Sequence, residues 1–329
     1  MSVPHFASAQ KDKDKNSIPL DHFYVERQGP GIRKFLSKFT VGLSTGYSST
    51  TFSNKLDGYG IYQPASGKPI VFNPDQPTVG YTNWFNELDT TVLAIDPANF
   101  SKTSEEGKIG FRSKSFSIPV KLTVHYEFLK YYRVGIGYSL DFMKVRDFEP
   151  VSHTKDIRSL SPAVSGFVMQ KYFIMLGGSV YRYDDYLLTI DANIGGYSLG
   201  KKFDKDNIRR GVFINLGATI ERDMSEYFKL FIRPSYEIKS FKLTSLDGSP
   251  DFKNQMNAFY VNIGATYRLP ELRKCFHKQC NAQINHAHGN REYRSRMHPI
   301  YKKQNPHHGE NYPELLRYKG KNKRKLNPY

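Results

Sequence analysis

Eight stretches of this chain alternate between apolar and polar side chains with a period of two. They are Phe39–Phe52, Phe116–Phe128, Tyr131–Met143, Pro162–Arg182, Leu187–Leu199, Val212–Glu221, Phe228–Phe241 and Ala258–Leu269. In the last, Phe259, Val261, Ile263, Ala265, Tyr267 and Leu269 fall on one face, and Tyr260, Asn262, Gly264, Thr266 and Arg268 on the other. That period belongs to β-strands, whose side chains point alternately to the two faces of a sheet. Most of the segments run for roughly 10 to 15 residues, well beyond the five or six of an ordinary soluble strand. No apolar run approaches the roughly 20 residues of a membrane helix. Aromatic residues make up 14% of the 329, too many for a disordered chain.

A soluble two-sheet sandwich would also alternate, but three features favour a transmembrane barrel. The strands are long. Tyr126, Phe128, Tyr131, Tyr132, Tyr227, Phe228, Tyr236 and Tyr267 cluster at strand ends, where a membrane barrel carries its aromatic girdles. Short connections (Leu129-Lys130, Tyr183–Tyr186, Arg222–Glu226) alternate with long ones (Ser53–Lys114, Val145–Ser161, Gly200–Arg210, Thr244–Met256). The expected fold is all-β: an eight-stranded antiparallel transmembrane barrel over residues 39–269, with an irregular C-terminal extension. Both termini fall on the short-turn side. The long first loop, with Trp84 and several tyrosines, is expected to cap the barrel or to contact a neighbour.

An eight-stranded barrel has an interior that side chains just fill. The inward face carries Lys121, His125, Glu127, Arg133, Asp141, Asp191, Glu221, Lys229, Arg233, Glu237, Lys239 and Arg268. Charges of both signs in a closed lumen must pair, so the expectation is an internal network rather than a pore. His125 beside Glu127 is read as part of that network, not as a catalytic pair. The chain has no phosphate-binding loop, dinucleotide glycine motif or His-Glu-x-x-His. No cofactor and no enzymatic activity are expected.

The closing strand contains Asn262-Ile263-Gly264-Ala265-Thr266-Tyr267-Arg268-Leu269. It resembles the C-terminal assembly motif of outer-membrane barrels, with Asn262, Gly264, Tyr267 and Leu269 at the defined positions. Residues 39–269 thus resemble the small outer-membrane barrels of the OmpA and PorT type. Ala9-Gln10 resembles the end of a signal peptide of Bacteroidota. That resemblance implies an outer-membrane location facing lipid and, as a host, an envelope machine of the type IX secretion or gliding kind.

Outside the barrel, Ala7-Ser8-Ala9 has the small-x-small pattern of a signal-peptidase site. Residues 1–9 read as the remnant of a signal peptide with its start upstream, and 10–38 as a periplasmic segment. The formal charge is +17. Residues 270–329 hold fourteen basic and four acidic residues, so +10 of that excess lies there. Such a segment, poor in Val, Ile and Phe, reads as a basic periplasmic tail without a core of its own.

In that tail Tyr293, Arg294, Arg296, Tyr301, Lys302, Lys303, Tyr312, Arg317, Tyr318, Lys323 and Arg324 mix aromatic and basic character. Those residue types anchor interfaces, so the expected partner is a periplasmic or outer-membrane protein complex. Non-specific contact with peptidoglycan or lipid phosphate is the simpler alternative. Nucleic acid is not expected, although Lys319–Lys325 would suit it in a soluble protein. Cys275 and Cys280 are expected to form a disulfide in an oxidising compartment. Zinc held by them with His277, His286 and His288 is the competing reading. Two functions follow: a non-enzymatic outer-membrane anchor or scaffold, or a barrel enzyme or ligand-binding barrel using the first loop.

Overall fold

The computed structural model describes residues 31–300, apart from 106, 130, 246–248, 281, 283, 284, 289, 290, 297 and 299. The signal-peptide remnant, most of the N-terminal segment and the tail from 301 onward lie outside the described residues.

A short helix α1 (Gly31–Leu36) leads into eight long strands. They are β1 (Phe39–Lys55), β2 (Gly110–Phe128), β3 (Tyr132–Lys144), β4 (Gly166–Tyr183), β5 (Tyr186–Ser198), β6 (Phe213–Asp223), β7 (Phe228–Ile238) and β8 (Phe252–Arg268). Each pairs antiparallel with its sequence neighbours, and β8 also pairs with β1 from Thr40↔Arg268 to Lys55↔Lys253. The sheet is therefore a ring of eight, and none of these strands keeps a free edge. Each expected strand is present.

The connections alternate as expected. Asp184-Asp185 joins β4 to β5, with Asp184 in the left-handed region at φ 49°, a conformation that Asp tolerates better than most residues. The long connections all emerge at the opposite end. Three strands extend further toward that end than alternation alone indicates: β1 to Lys55, β2 from Gly110 and β8 from Phe252. Beyond the membrane-like stretch Phe52, Phe111 and Phe252 are all buried, so the exposed-apolar pattern stops before the strand does.

The first loop folds as a second sheet. Its five short antiparallel strands lie in the order Asp89–Val92, Gln76–Asn83, Ile70–Asn73, Gly60–Gln63 and Phe100–Thr103. Trp84, Phe85, Tyr59 and Tyr81 form one core with Phe52, Phe148, Phe203, Phe241 and Phe252 of the barrel rim and the other long loops. Asn73 Nδ2 donates to Ser249 Oγ at 3.1 Å, and Asn86 Nδ2 to the Lys202 carbonyl at 3.2 Å. The loop is thus a cap over the long-loop mouth.

The segment after β8 differs from expectation. It is not irregular throughout: His286–His288 and Arg291–Tyr293 form an antiparallel hairpin, and Lys274 forms a parallel bridge with Arg294. Three-residue strands are too short to show a readable period, which is why the sequence concealed them.

Candidate functional site

The barrel inverts the burial pattern of a soluble fold. On β3, Tyr132, Val134, Ile136, Tyr138 and Phe142 are exposed, while Arg133, Ser139 and Asp141 are buried. The same holds for Leu43 against Ser44 on β1, and for Ile263 against Asn262 on β8. From Tyr132 to Phe142 the belt runs about 33 Å along the strand, or about 25 Å along the axis at a tilt near 40°. That is the height of the apolar band of a membrane barrel. Tyr126, Phe128, Tyr132, Tyr183, Tyr186 and Tyr267 ring its short-turn edge, all exposed.

The lumen is filled by three tiers of paired charge. Nearest the short turns, Arg133 bridges Glu221 and Glu127, the latter at 2.8 Å, and Lys229 lies 3.4 Å from Glu221. Arg182 pairs there with Asp223. In the middle, Arg233 Nε donates to Asp191 Oδ1 at 2.7 Å, and Thr219 Oγ1 donates to Asp191 Oδ2 at 2.7 Å. Toward the long loops, Lys171 lies 2.7 Å from Asp141 and 2.9 Å from Glu237. Lys239 lies 2.5 Å from Glu237, and Tyr260 donates its hydroxyl to Asp141 Oδ2 at 2.9 Å. Apart from the half-buried Glu127 and Lys229, these groups are almost wholly buried, and a buried ion without a partner would cost several kcal/mol.

Two of the residues expected in the network lie differently from the rest. Arg268 is exposed at the rim, where β8 ends, and its Nε donates to the Ser37 carbonyl at 2.5 Å. Lys121 is buried but has no carboxylate within ion-pair reach among the described residues; its Nζ lies 5.4 Å from the centre of the Phe173 ring. His125 faces Glu127 at 3.8 Å. A cavity of about 50 Å³ opens between Lys121, His125, Asn193, Arg233 and Asn262. His125 Nδ1, Asn193 Oδ1 and both polar atoms of the Asn262 amide have no protein partner, so this is a polar pocket of the size that ordered water fills.

Three charged members of the network are not among those expected, Lys171, Arg182 and Asp223; Tyr260 falls on the expected inward face of the closing strand and joins through its hydroxyl. On β4 the odd positions face inward up to Lys171 and Phe173. A register shift between Ser179 and Tyr181 then reverses the faces, so that Arg182 is buried. A bulge inserts one residue into one strand, and the faces swap beyond it. Asp223 falls in a stretch that reads as turn.

The assembly-motif residues occupy the closing strand. Asn262 is buried and Tyr267 exposed, and Leu269 lies one residue past the strand. Gly264 is backed by Phe231, and a Cβ there would meet the Leu43 carbonyl at 2.4 Å and the Phe231 ring at 2.7 Å.

Both ends of the barrel chain meet at the short-turn rim, where Arg33 Nε donates to the Pro270 carbonyl at 2.8 Å. Beyond it the chain is held by backbone bonds from Cys275 N to the Arg294 carbonyl (3.0 Å) and from Arg294 N to the Arg273 carbonyl (2.9 Å). Arg294 is near enough to Tyr227, Tyr267 and Arg33 to feel their charge, and burial lowers its pKa. The expected disulfide is absent: Cys275 and Cys280 are free. Each instead faces a histidine, Cys275 Sγ to His288 Nε2 at 3.3 Å and Cys280 Sγ to His286 Nε2 at 3.2 Å. Of the tail residues expected to meet a partner, Tyr293 packs internally, its ring 5.3 Å from that of Phe276. Arg296 donates to the Cys275 carbonyl at 3.0 Å. Tyr301, Lys302, Lys303, Tyr312, Arg317, Tyr318, Lys323 and Arg324 lie outside the described residues.

No protein-family model and no curated protein matches the chain. Solved structures similar to it include the outer membrane protease OmpT from Escherichia coli, at 12% identity and a TM-score of 0.33, covering 70% of this chain and 96% of that one. The outer membrane protein OprG from Pseudomonas aeruginosa is similar at 7% identity and a TM-score of 0.30, covering 70% and 96%. The β domain of the Bordetella autotransporter BrkA is similar at 10% identity and a TM-score of 0.24, covering 68% and 99%.

Proposed function

We propose that this chain is a non-enzymatic outer-membrane barrel that anchors an envelope protein assembly, with the segment after β8 and the basic tail presented in the periplasm. The observation that carries this is the filled lumen. Three tiers of buried ion pairs cross the barrel, and the cap packs its aromatic side chains over the far mouth. A barrel so plugged is suited to holding a place in the bilayer rather than to passing solute. The exposed apolar belt supports the membrane location, and the resemblance of the Asn262–Leu269 stretch to an assembly motif supports the outer membrane. A type IX secretion or gliding machine is the host that the Bacteroidota-like features suggest.

The enzyme or ligand-binding alternative would use the first loop. Its large aromatics, Tyr59, Tyr81, Trp84 and Phe85, are at most 2% exposed, so they support the cap rather than line an open cleft. The test compares the full chain with a chain ending at Leu269. Both should fractionate with outer membranes. Only the full chain should co-purify its native partners; retention of every partner by the truncated barrel would refute the anchor role of the tail.

A further inference from the structure

We propose that Cys275, Cys280, His286 and His288 form a structural zinc site that staples the segment after β8 into a folded knuckle at the periplasmic rim.

The four ligand atoms lie within 4.8 Å of one another. The two Sγ–Nε2 separations are 3.3 and 3.2 Å. Zinc bonds of about 2.3 Å to sulfur and 2.0–2.1 Å to nitrogen place tetrahedral ligand atoms roughly 3.3–3.8 Å apart. The two Sγ–Nε2 separations match the short end of that range, and the remaining ones, at most 4.8 Å, reach it with shifts of about 1 Å. Each ligand is delivered by local backbone structure. His286 and His288 are two apart on one strand, so their rings leave the same face. Cys280 is brought back toward Cys275 by a turn in which Cys280 N donates to the His277 carbonyl at 3.2 Å. The Cys275 backbone is held to Arg294, which follows the hairpin directly.

Two arguments select a metal over a disulfide. The first is stability. A hairpin of three-residue strands does not hold its shape alone, and among the described residues of this segment Leu272 and Cys275 are the buried apolar side chains while Phe276 is 65% exposed, little to supply the deficit. Something must cross-link it. The second is convergence. A disulfide would use the cysteines only and leave the facing of both thiols by histidine nitrogens without cause. Two sulfur and two nitrogen donors suit zinc among the common divalent ions. On binding, the two thiols release their protons, and the two thiolates neutralise the dication. His277 is outside the ligand group. The consequence is local: a fixed knuckle holds the chain from Cys275 to Arg294 close to Pro270 at the rim.

The test measures zinc in the full chain purified from membranes in detergent without chelator. About one zinc per chain is expected, lost on Cys280→Ser or His286→Ala and kept on His277→Ala. Cobalt in place of zinc should give thiolate charge-transfer and tetrahedral d–d bands that Cys280→Ser abolishes. Both cysteines should resist alkylation until the metal is chelated. The barrel pairs all its strands before residue 269, so heat-modifiable gel mobility should be unchanged in every variant and separates metal loss from misfolding. Zinc retained undiminished by Cys280→Ser would overturn the site. So would a metal-free chain two hydrogens lighter than the dithiol, which is the Cys275–Cys280 disulfide.

Discussion

Arg233 on β7 reaches Asp191 on β5 by crossing the intervening strand, its Nε 2.7 Å from Asp191 Oδ1. The crossing point is Gly217 on β6, which is in register with Asp191. Pairing over the inner face of the wall is what allows these opposite charges to sit inside the barrel. Replacing Asp191 by Ala should therefore leave Arg233 buried without its main counter-ion and destabilise the barrel by about 3–5 kcal/mol. Asp191→Asn, which keeps one acceptor, should cost less. Denaturant unfolding in detergent measures both.

Gly217 is needed at that crossing. A Cβ on it would lie 2.7 Å from Arg233 Cζ, and the guanidinium cannot yield without loosening its bond to Asp191. Gly217→Ala should cost about 1–3 kcal/mol. Combined with Asp191→Ala the loss should be smaller than the sum of the two, because both changes disturb one contact. Strict additivity in the same unfolding series would refute the coupling.

The apolar belt is a prediction about solvent. Ile136 is 65% exposed and pairs in mid-barrel with Val124 and Ile174. In a bilayer Ile136→Arg should cost about 2–4 kcal/mol, as arginine near the midplane does. Val92 on the cap is 89% exposed, and Val92→Arg should change stability by no more than about 0.5 kcal/mol. Folding equilibria into lipid vesicles compare them; equal effects would argue against a lipid-facing belt.

The cap hinges on Phe85, whose ring lies 5.4 Å from Phe52, 5.1 Å from Phe148 and 5.5 Å from Phe203. Phe85→Ala should cost about 3–5 kcal/mol, as such truncations in a core do, and the loss should fall on the cap. Limited proteolysis within residues 56–109 should accelerate while the barrel keeps its heat-modifiable mobility.

The strands were legible because burial by lipid imposes a strict period on each of them. Val134 to Phe142 reads as a strand with one apolar face without reference to any other residue. Legibility failed where the period breaks or is too short to register. Arg182 looked outward by count and is buried because of the bulge near Ser179. Arg268 looked inward by count and is exposed, because its strand ends there. Lys171 shares a face with Phe167, Met169 and Phe173, so the alternation does not mark it as a lumen charge, and only its distances to Asp141 and Glu237 reveal its place.

What the sequence determined by itself was therefore the set of faces: which residues meet lipid, which meet the lumen, and that connections alternate in length. A two-residue period carries that information locally, strand by strand. What only the tertiary structure decided was which partners meet. Asp191 and Arg233 are 42 residues apart, and Cys275 and His288 are 13 apart. Such pairs come together only when successive strands pair in register and the hairpin turns back, because a contact over an intervening strand or around a turn depends on register, which no local period encodes.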